Sequence, residues 1–205
     1  MIQTIPKLVT FDEFIEWYPE NSVHHYELRN GLIVEMPLPT GKHSDLGGFL
    51  TAELNFEIRR LLLPYSIPIE CLVRPYPHDS GYDPDVIVLD KIAVKSEPRW
   101  AKESIITMGS SIRLIVEIVS TNWHDDYALK LDTYEAMGIP EYWIADYLGL
   151  GGRRYIGSPK LPTFSVCRLV DGEYQISHFR GDDRIVSEVF PELNLTVNQV
   201  FNHEV

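Results

Sequence analysis

Cysteine is nearly absent: Cys71 and Cys167 are the two in 205 residues, and they stand far apart. That excludes a disulfide framework and a cysteine-rich zinc module. Long apolar runs are also missing. The longest, around Ile112 to Val119, is broken by Glu117 and falls well short of the roughly 20 residues that span a bilayer. The opening MIQTIPKLVTFDEF lacks a basic-then-apolar signal pattern, and no repeat, low-complexity tract or Gly/Ser linker divides the chain. Cations are scarce: 18 Lys+Arg against 30 Asp+Glu give a net charge of −12. Phosphate backbones repel a chain this acidic unless its few cations are gathered in one place, whereas carboxylates suit a metal site. What is present is ordinary globular composition, 44% hydrophobic and 23% charged, which excludes a disordered or collagen-like chain. The length suffices for one domain with its own core. The expectation is a single domain over residues 1–205, soluble and cytoplasmic, with no membrane partner.

Local signals divide the chain into elements. Thr10-Phe11-Asp12-Glu13 is a capping box, so a short helix runs from Phe11 to about Tyr18, closed by Pro19 and Asn21. YELRNGLIVEM reads as two strands around Asn30-Gly31, a strong hairpin dipeptide. Leu46, Phe49, Leu50, Leu54, Ile58, Leu61 and Leu62 have helical spacing over 41–63, and Pro64 stops that helix. Strands are expected over 67–74 (IPIECLVR), over Asp85 to Leu89, and over Ile112 to Val119. The last is apolar enough to be central and buried on both faces. A helix over 124–137 ends at Gly138 and Pro140, followed by a strand over Tyr142 to Asp146. FSVCRLV and EYQISHF flank Asp171-Gly172 as a second hairpin, and a short helix spans Val197 to Phe201. The class is α/β (α+β): a mixed central sheet flanked by helices, with additional hairpins at both ends.

Three residues stand out chemically. Glu117 interrupts an otherwise aliphatic strand. A carboxylate buried there is neutralised or needs a partner cation, either a bound metal or a lysine; alternatively it reaches water at an edge or pairs with an arginine. Asp85 heads the DVIVL strand, where period two places it with Ile87 and Leu89. Alone it is an ordinary turn residue, but a second carboxylate in the next strand makes the pair a hard-cation arrangement. Lys130 lies three residues after Tyr127 and four before Tyr134, bordering the inward stripe of its helix. It either covers apolar surface with its stem or points at the carboxylates.

Pro84-Asp85, Glu117 and Lys130 together resemble the PD-(D/E)XK nuclease superfamily, with valine at 119 where a lysine is usual and Lys130 supplying it from the following helix. YELRNGLIVEM, GYDPDVIVL, LIVEIVS, the D-x-x-x-K of Asp126 to Lys130, GIPEYWIAD and the tail SEVFPELNLTVNQVF, in that order, resemble the Uma-type restriction endonuclease family. Two departures stand out: Thr121 replaces the expected proline, and Asn122-Trp123-His124 replaces a more basic stretch. The resemblance implies a restriction-endonuclease-like core and a Mg²⁺-dependent endonuclease acting on DNA, with Mn²⁺ as a substitute ion and a homodimer as the natural assembly. It implies that Asp85 and Glu117 hold the ion, with the backbone carbonyl of Ile118 as a further ligand. The ion then acts as Lewis acid and helps generate hydroxide, while Lys130 orients or deprotonates the attacking water. Glu27 matches an acidic family position and is a fourth candidate; its alternative is a solvated hairpin glutamate.

Other signals are weaker. His43 starts the long helix, as a cap neighbour or facing the cleft. His24 and His25 read as loop residues. Gly149-Leu150-Gly151-Gly152 lacks the sixth glycine of a dinucleotide loop, and RRYIGSP does not read as a helix start. Arg59-Arg60, Arg153-Arg154 and the spread Lys91, Lys95, Arg99 and Lys102 are the basic groupings where phosphate contacts are to be sought. Trp100, Trp123 and Trp143 belong to an interface or to the core. A rival to the nuclease is a catalytically inactive binding or assembly module on the same fold, since fold does not dictate function. A third possibility is a metal-dependent hydrolase of a smaller phosphoester.

Overall fold

The structure is a computed structural model that describes residues 7–19 and 22–203. It begins with α1 (Phe11–Trp17), opened by the Thr10–Glu13 capping box in both directions. Asn21, expected to help close this helix, lies outside the described residues, as do the first six residues of the opening stretch. A hairpin follows, β1 (His25–Arg29) and β2 (Leu32–Met36), forming a sheet of its own. Asn30 and Gly31 both take positive φ, 48° and 81°, as the tight turn requires. Thr10 and Asp79 lie beside this hairpin: Phe11 N–H donates to Asp79, and Leu28 pairs with Gly81.

The long helix α2 (Gly41–Arg60) is capped by Thr40 and buries Leu46, Leu50, Leu54 and Ile58 along one stripe. The expected strand over 67–74 does not form as one piece. It is replaced by β3 (Tyr65–Ser66) and β4 (Leu72–Val73), with Ile67-Pro68-Ile69-Glu70 left irregular between them. Pro68 lacks an N–H and cannot donate to a ladder. Next come β5 (Val86–Asp90), α3 (Trp100–Glu103), β6 (Ile105–Ile106) and β7 (Ile112–Ile118). A π-helical turn, Asp125–Leu129, leads into α4 (Lys130–Ala136). Gly138 then takes φ +74° and its N–H bonds back to Glu135, the expected glycine stop. The chain finishes with β8 (Glu141–Asp146), α5 (Arg153–Ile156), β9 (Thr163–Val170), β10 (Glu173–Phe179) and α6 (Val197–Asn202). The RRYI segment therefore does begin a single helical turn, against the sequence expectation, because Gly152 supplies an extended entry residue.

The central sheet has six strands in the order β10-β9-β8-β7-β5-β3. β7 and β8 are parallel, joined across α4, and the other neighbours are antiparallel. This is the mixed sheet expected from the sequence. The C-terminal hairpin is not an appendage, however: β9 pairs along all of β8, and β9 with β10 makes a third of the sheet. Apolar cores lie on both faces. One, under α2 and α6, gathers Leu50, Leu54, Val116, Trp143, Phe164 and Phe190. The other, under α4, gathers Ile115, Tyr127, Tyr134, Tyr142 and Ile144. Trp143 is wholly buried, which settles it as core.

Candidate functional site

Register places the two strand carboxylates side by side. Val86 of β5 lies opposite Val116 of β7, so one step further along each strand brings Asp85 next to Glu117. Asp85 is anchored there: its Oδ2 accepts the Ile118 N–H at 2.6 Å. In β7, Leu114, Val116 and Ile118 join the α2 core while Ile115 points the other way. Period two therefore turns Glu117 toward α4. Glu117 is 3% exposed and Lys130 is also 3% exposed.

Lys130 sits where the π-helical turn becomes regular helix. Its Nζ lies 3.0 Å from Glu117 Oε2, 3.0 Å from Glu27 Oε1 and 3.9 Å from Asp126 Oδ1. The lysine thus points at the carboxylates and does not merely cover apolar surface. Glu27 is not a solvated hairpin residue; it is 1% exposed, and its Oε2 takes two donors from Arg29. Arg29 also pairs with Asp125. The remaining Glu117 oxygen, Oε1, accepts the Tyr134 hydroxyl at 2.9 Å. All four sequence candidates, Asp85, Glu117, Lys130 and Glu27, line one cleft of about 990 Å³, together with Ile118.

His43 faces this cleft from the first turn of α2. Its Nε2 is 3.1 Å from the Ile118 carbonyl oxygen and 3.5 Å from Asp85 Oδ2. His25 starts β1 instead of lying in a loop, and its Nδ1 is 3.4 Å from Asp83 Oδ2 on the cleft wall. Sequence reasoning gave no role to Asp126, Arg29 or Tyr134. The signals were present: Asp126 and Lys130 are i,i+4 on one helix face, and Glu27 and Arg29 alternate onto one side of a strand.

The electrostatics follow from burial. Around this floor the carboxylates of Glu27, Asp85, Glu117, Asp125 and Asp126 face two permanent cations, Lys130 and Arg29. Burial alone would push the Lys130 ammonium down, but Glu117 and Glu27, helped by Asp126 and Asp85, outweigh it and hold it well above the usual lysine value. Lys130 is thus a fixed donor. Burial works against the charge of Glu27 too, yet Lys130 and Arg29 hold it below the ordinary glutamate value. Asp126 has only the longer 3.9 Å contact with Lys130. Burial lifts Asp126 to about 7, against the pull of Lys130 and with the help of Asp85 and Glu27. For His43, burial is outweighed by Asp85 and the Ile118 carbonyl, and its imidazole sits above the usual value.

Among the described residues no three His, Cys, Asp or Glu side chains gather at metal-ligating spacing, and no described helix is long and apolar enough to cross a membrane. No curated protein matches the chain. A crystal structure described as "a putative nuclease belonging to DUF820", from Anabaena variabilis ATCC 29413, superposes with a TM-score of 0.72, covering 95% of this chain and 98% of that one. At 20% identity the match speaks for the fold, which is therefore shared with that protein. The Uma2 family model, described as "Putative restriction endonuclease", matches residues 11–198, and the chain belongs to that family.

Proposed function

We propose that the protein is a divalent-metal-dependent endonuclease that hydrolyses DNA phosphodiester bonds, with residues 1–205 acting as one nuclease-like domain. One observation carries this reading. A buried ammonium, Lys130, is clamped between Glu27 and Glu117 on the floor of an open cleft whose wall bears Asp85. A fold gains little from such a cluster, since buried ion pairs are often replaceable by apolar side chains at no loss of stability. An excess of carboxylates at a cleft floor instead suits an incoming cation.

The donor set fits Mg²⁺ or Mn²⁺. Asp85, Glu117 and the Ile118 carbonyl offer hard oxygens, and Mg²⁺ needs one or two protein carboxylates, taking the rest of its shell from water and substrate phosphate. When bound, the ion supplies Lewis-acid polarisation of the phosphoryl group and a lowered pKa for water at the site. The chain's own residues do the positioning. Tyr134 and Lys130 hold both oxygens of Glu117 in place. Arg29 and Lys130 fix Glu27. Lys130 acts as a charged donor that offsets negative charge on phosphoryl oxygens, and not as the base. His43 presents a ring nitrogen between Asp85 and the Ile118 carbonyl and orients both.

A second reading, the catalytically inactive binding or assembly module, is favoured by one fact: both Glu117 oxygens are already engaged. Calorimetric titration with Mn²⁺ and Mg²⁺ separates the two. The nuclease reading expects binding by the wild type that Asp85→Asn removes. No heat at millimolar metal, with or without added DNA, would leave the module as the better account. A twofold homodimer, which would bring two such sites together, accompanies this proposal; mass by light scattering checks it.

A further inference from the structure

We propose that a single strand of DNA leaves the cleft across a basic and aromatic patch built from His124, Trp123, Arg153, Arg154 and Lys160. The route of the strand rests on the nuclease reading; the affinity of the patch does not. In a chain of net charge −12, residues 147–170 contain no Asp or Glu and carry Arg153, Arg154, Lys160 and Arg168. Arg60, Arg74, Arg99 and Arg168 each pair with a carboxylate. Arg153, Arg154 and Lys160 have no such partner among the described residues, and all three are exposed.

The fold joins these cations to the site. Asp146 accepts the N–H groups of Leu150 and Gly151, which fixes the loop that follows β8. Lys160 Nζ donates to the Leu150 carbonyl at 2.7 Å, and Leu150 lines the cleft. Trp123 comes directly after Ser120, Thr121 and Asn122, which also line it. Gly152 lies so close to Trp123 that an added Cβ would stand 2.9 Å from the indole, so glycine is what lets α5 approach. Arg154 lies over the Tyr155 ring, and Tyr155 meets Trp123 edge-on. The exposed imidazole of His124 stacks on Trp123 with centroids 3.5 Å apart. The aromatic–basic surface expected from a nucleic-acid binder, missing from the Asn122-Trp123-His124 segment alone, is completed in space by α5 and Lys160.

The chemistry fits one strand. Free cations track phosphates, and a flat exposed ring extends to an unpaired base by stacking. Duplex binding would need cations along two backbones, but among the described residues the only Lys and Arg in the cleft lining, Lys130 and Arg29, are both held by carboxylates, and Leu38, Ile69 and Leu148 stand exposed on its walls.

The test is fluorescence anisotropy with labelled oligo(dT) of about 20 nucleotides, a length that spans one or two such sites, in chelator so that nothing is cut. The triple variant Arg153→Gln/Arg154→Gln/Lys160→Gln is compared with Lys91→Gln/Lys95→Gln/Lys102→Gln, which changes net charge equally elsewhere. The patch triple is expected to weaken binding at least tenfold and to flatten the slope of log affinity against log salt by about 2, three lost contacts at ~0.7 each. The control triple is expected to change affinity less than twofold. His124→Ala weakens binding several-fold with the slope unchanged. If the patch triple fails to fold by its melting curve, Arg154→Gln and His124→Ala carry the test. Equal weakening by both triples, tighter binding of a hairpin duplex than of the single strand, or no wild-type binding at low salt would overturn the proposal. Loss of cleavage under every condition would sink the nuclease reading and leave this binding result standing.

Discussion

The two faces of the central sheet both bury apolar side chains, but the α4 face also buries the charged groups of the cleft. Under α2 the contacts are aliphatic and aromatic: Leu46, Leu50 and Leu54 against Val116, Ile118 and Trp143. Under α4 the same strand presents Glu117, and the helix answers with Lys130 and the tyrosine hydroxyl of Tyr134. Burial of apolar surface at roughly 25 cal/mol per Å² stabilises the first face. The second has apolar packing of the same kind around Ile115, Tyr142 and Ile144, and adds groups whose desolvation costs several kcal/mol each unless they are paired. The comparison teaches that adjacent positions of β7 serve different ends: Val116 and Ile118 pack under α2, whereas Glu117 between them serves the cleft.

Breaking each face should give different signatures. Lys130→Met has the largest expected effect. It leaves Glu27 and Glu117 buried without their shared cation, which costs about 3–5 kcal/mol at neutral pH, and it lowers cleavage of DNA at least about 10²-fold. Chemical denaturation and a cleavage assay read the two losses, and both should be present. Leu54→Ala on the opposite face is expected to cost about 2–5 kcal/mol through its cavity, with activity per folded molecule unchanged. If Leu54→Ala lowered activity in the folded state as Lys130→Met does, the division between faces would fail.

A pH series sharpens the same comparison. Burial, with the neighbouring carboxylates, raises Asp126 to about 7 from an ordinary value of 3.8. A carboxyl whose folded value is raised favours folding below its unfolded value, and that contribution is lost as pH climbs from about 4 through about 7. In chelator, wild-type stability should therefore fall across that window. Asp126→Asn should flatten the fall and raise the melting midpoint at pH 8 by a few degrees, the shift that about 1–2 kcal/mol produces in a chain of this size. A wild-type midpoint that rises between pH 5 and 8, with Asp126→Asn no higher, would contradict this assignment.

Much of the fold was legible in the sequence. The Thr10 capping box, the Asn30-Gly31 and Asp171-Gly172 turns and the Gly138 stop each specify local backbone, and the structure has all four. The strand over 67–74 was misread because its apolar run hid Pro68 and a segment that pairs with nothing over Ile67 to Glu70. Its two short neighbours go to different sheets, a tertiary choice that no window of residues encodes. In the site, Glu117 was visible as a polar residue in an aliphatic strand. The Glu27–Lys130 contact was not, because it joins the N-terminal hairpin to a helix about a hundred residues on. Arg29, Asp126 and Tyr134 each had a bland local explanation, and only the packing of α4 against β7 and β1 gathers them.

The most direct test of the central claim is cleavage of labelled DNA, single- and double-stranded, by wild type and Glu117→Gln side by side in Mg²⁺, Mn²⁺ and chelator. The account predicts cutting by the wild type that needs the metal and falls at least about 10²-fold in the variant, whose melting midpoint is preserved or raised. Equal cutting by both proteins, or cutting that persists in chelator, would contradict it.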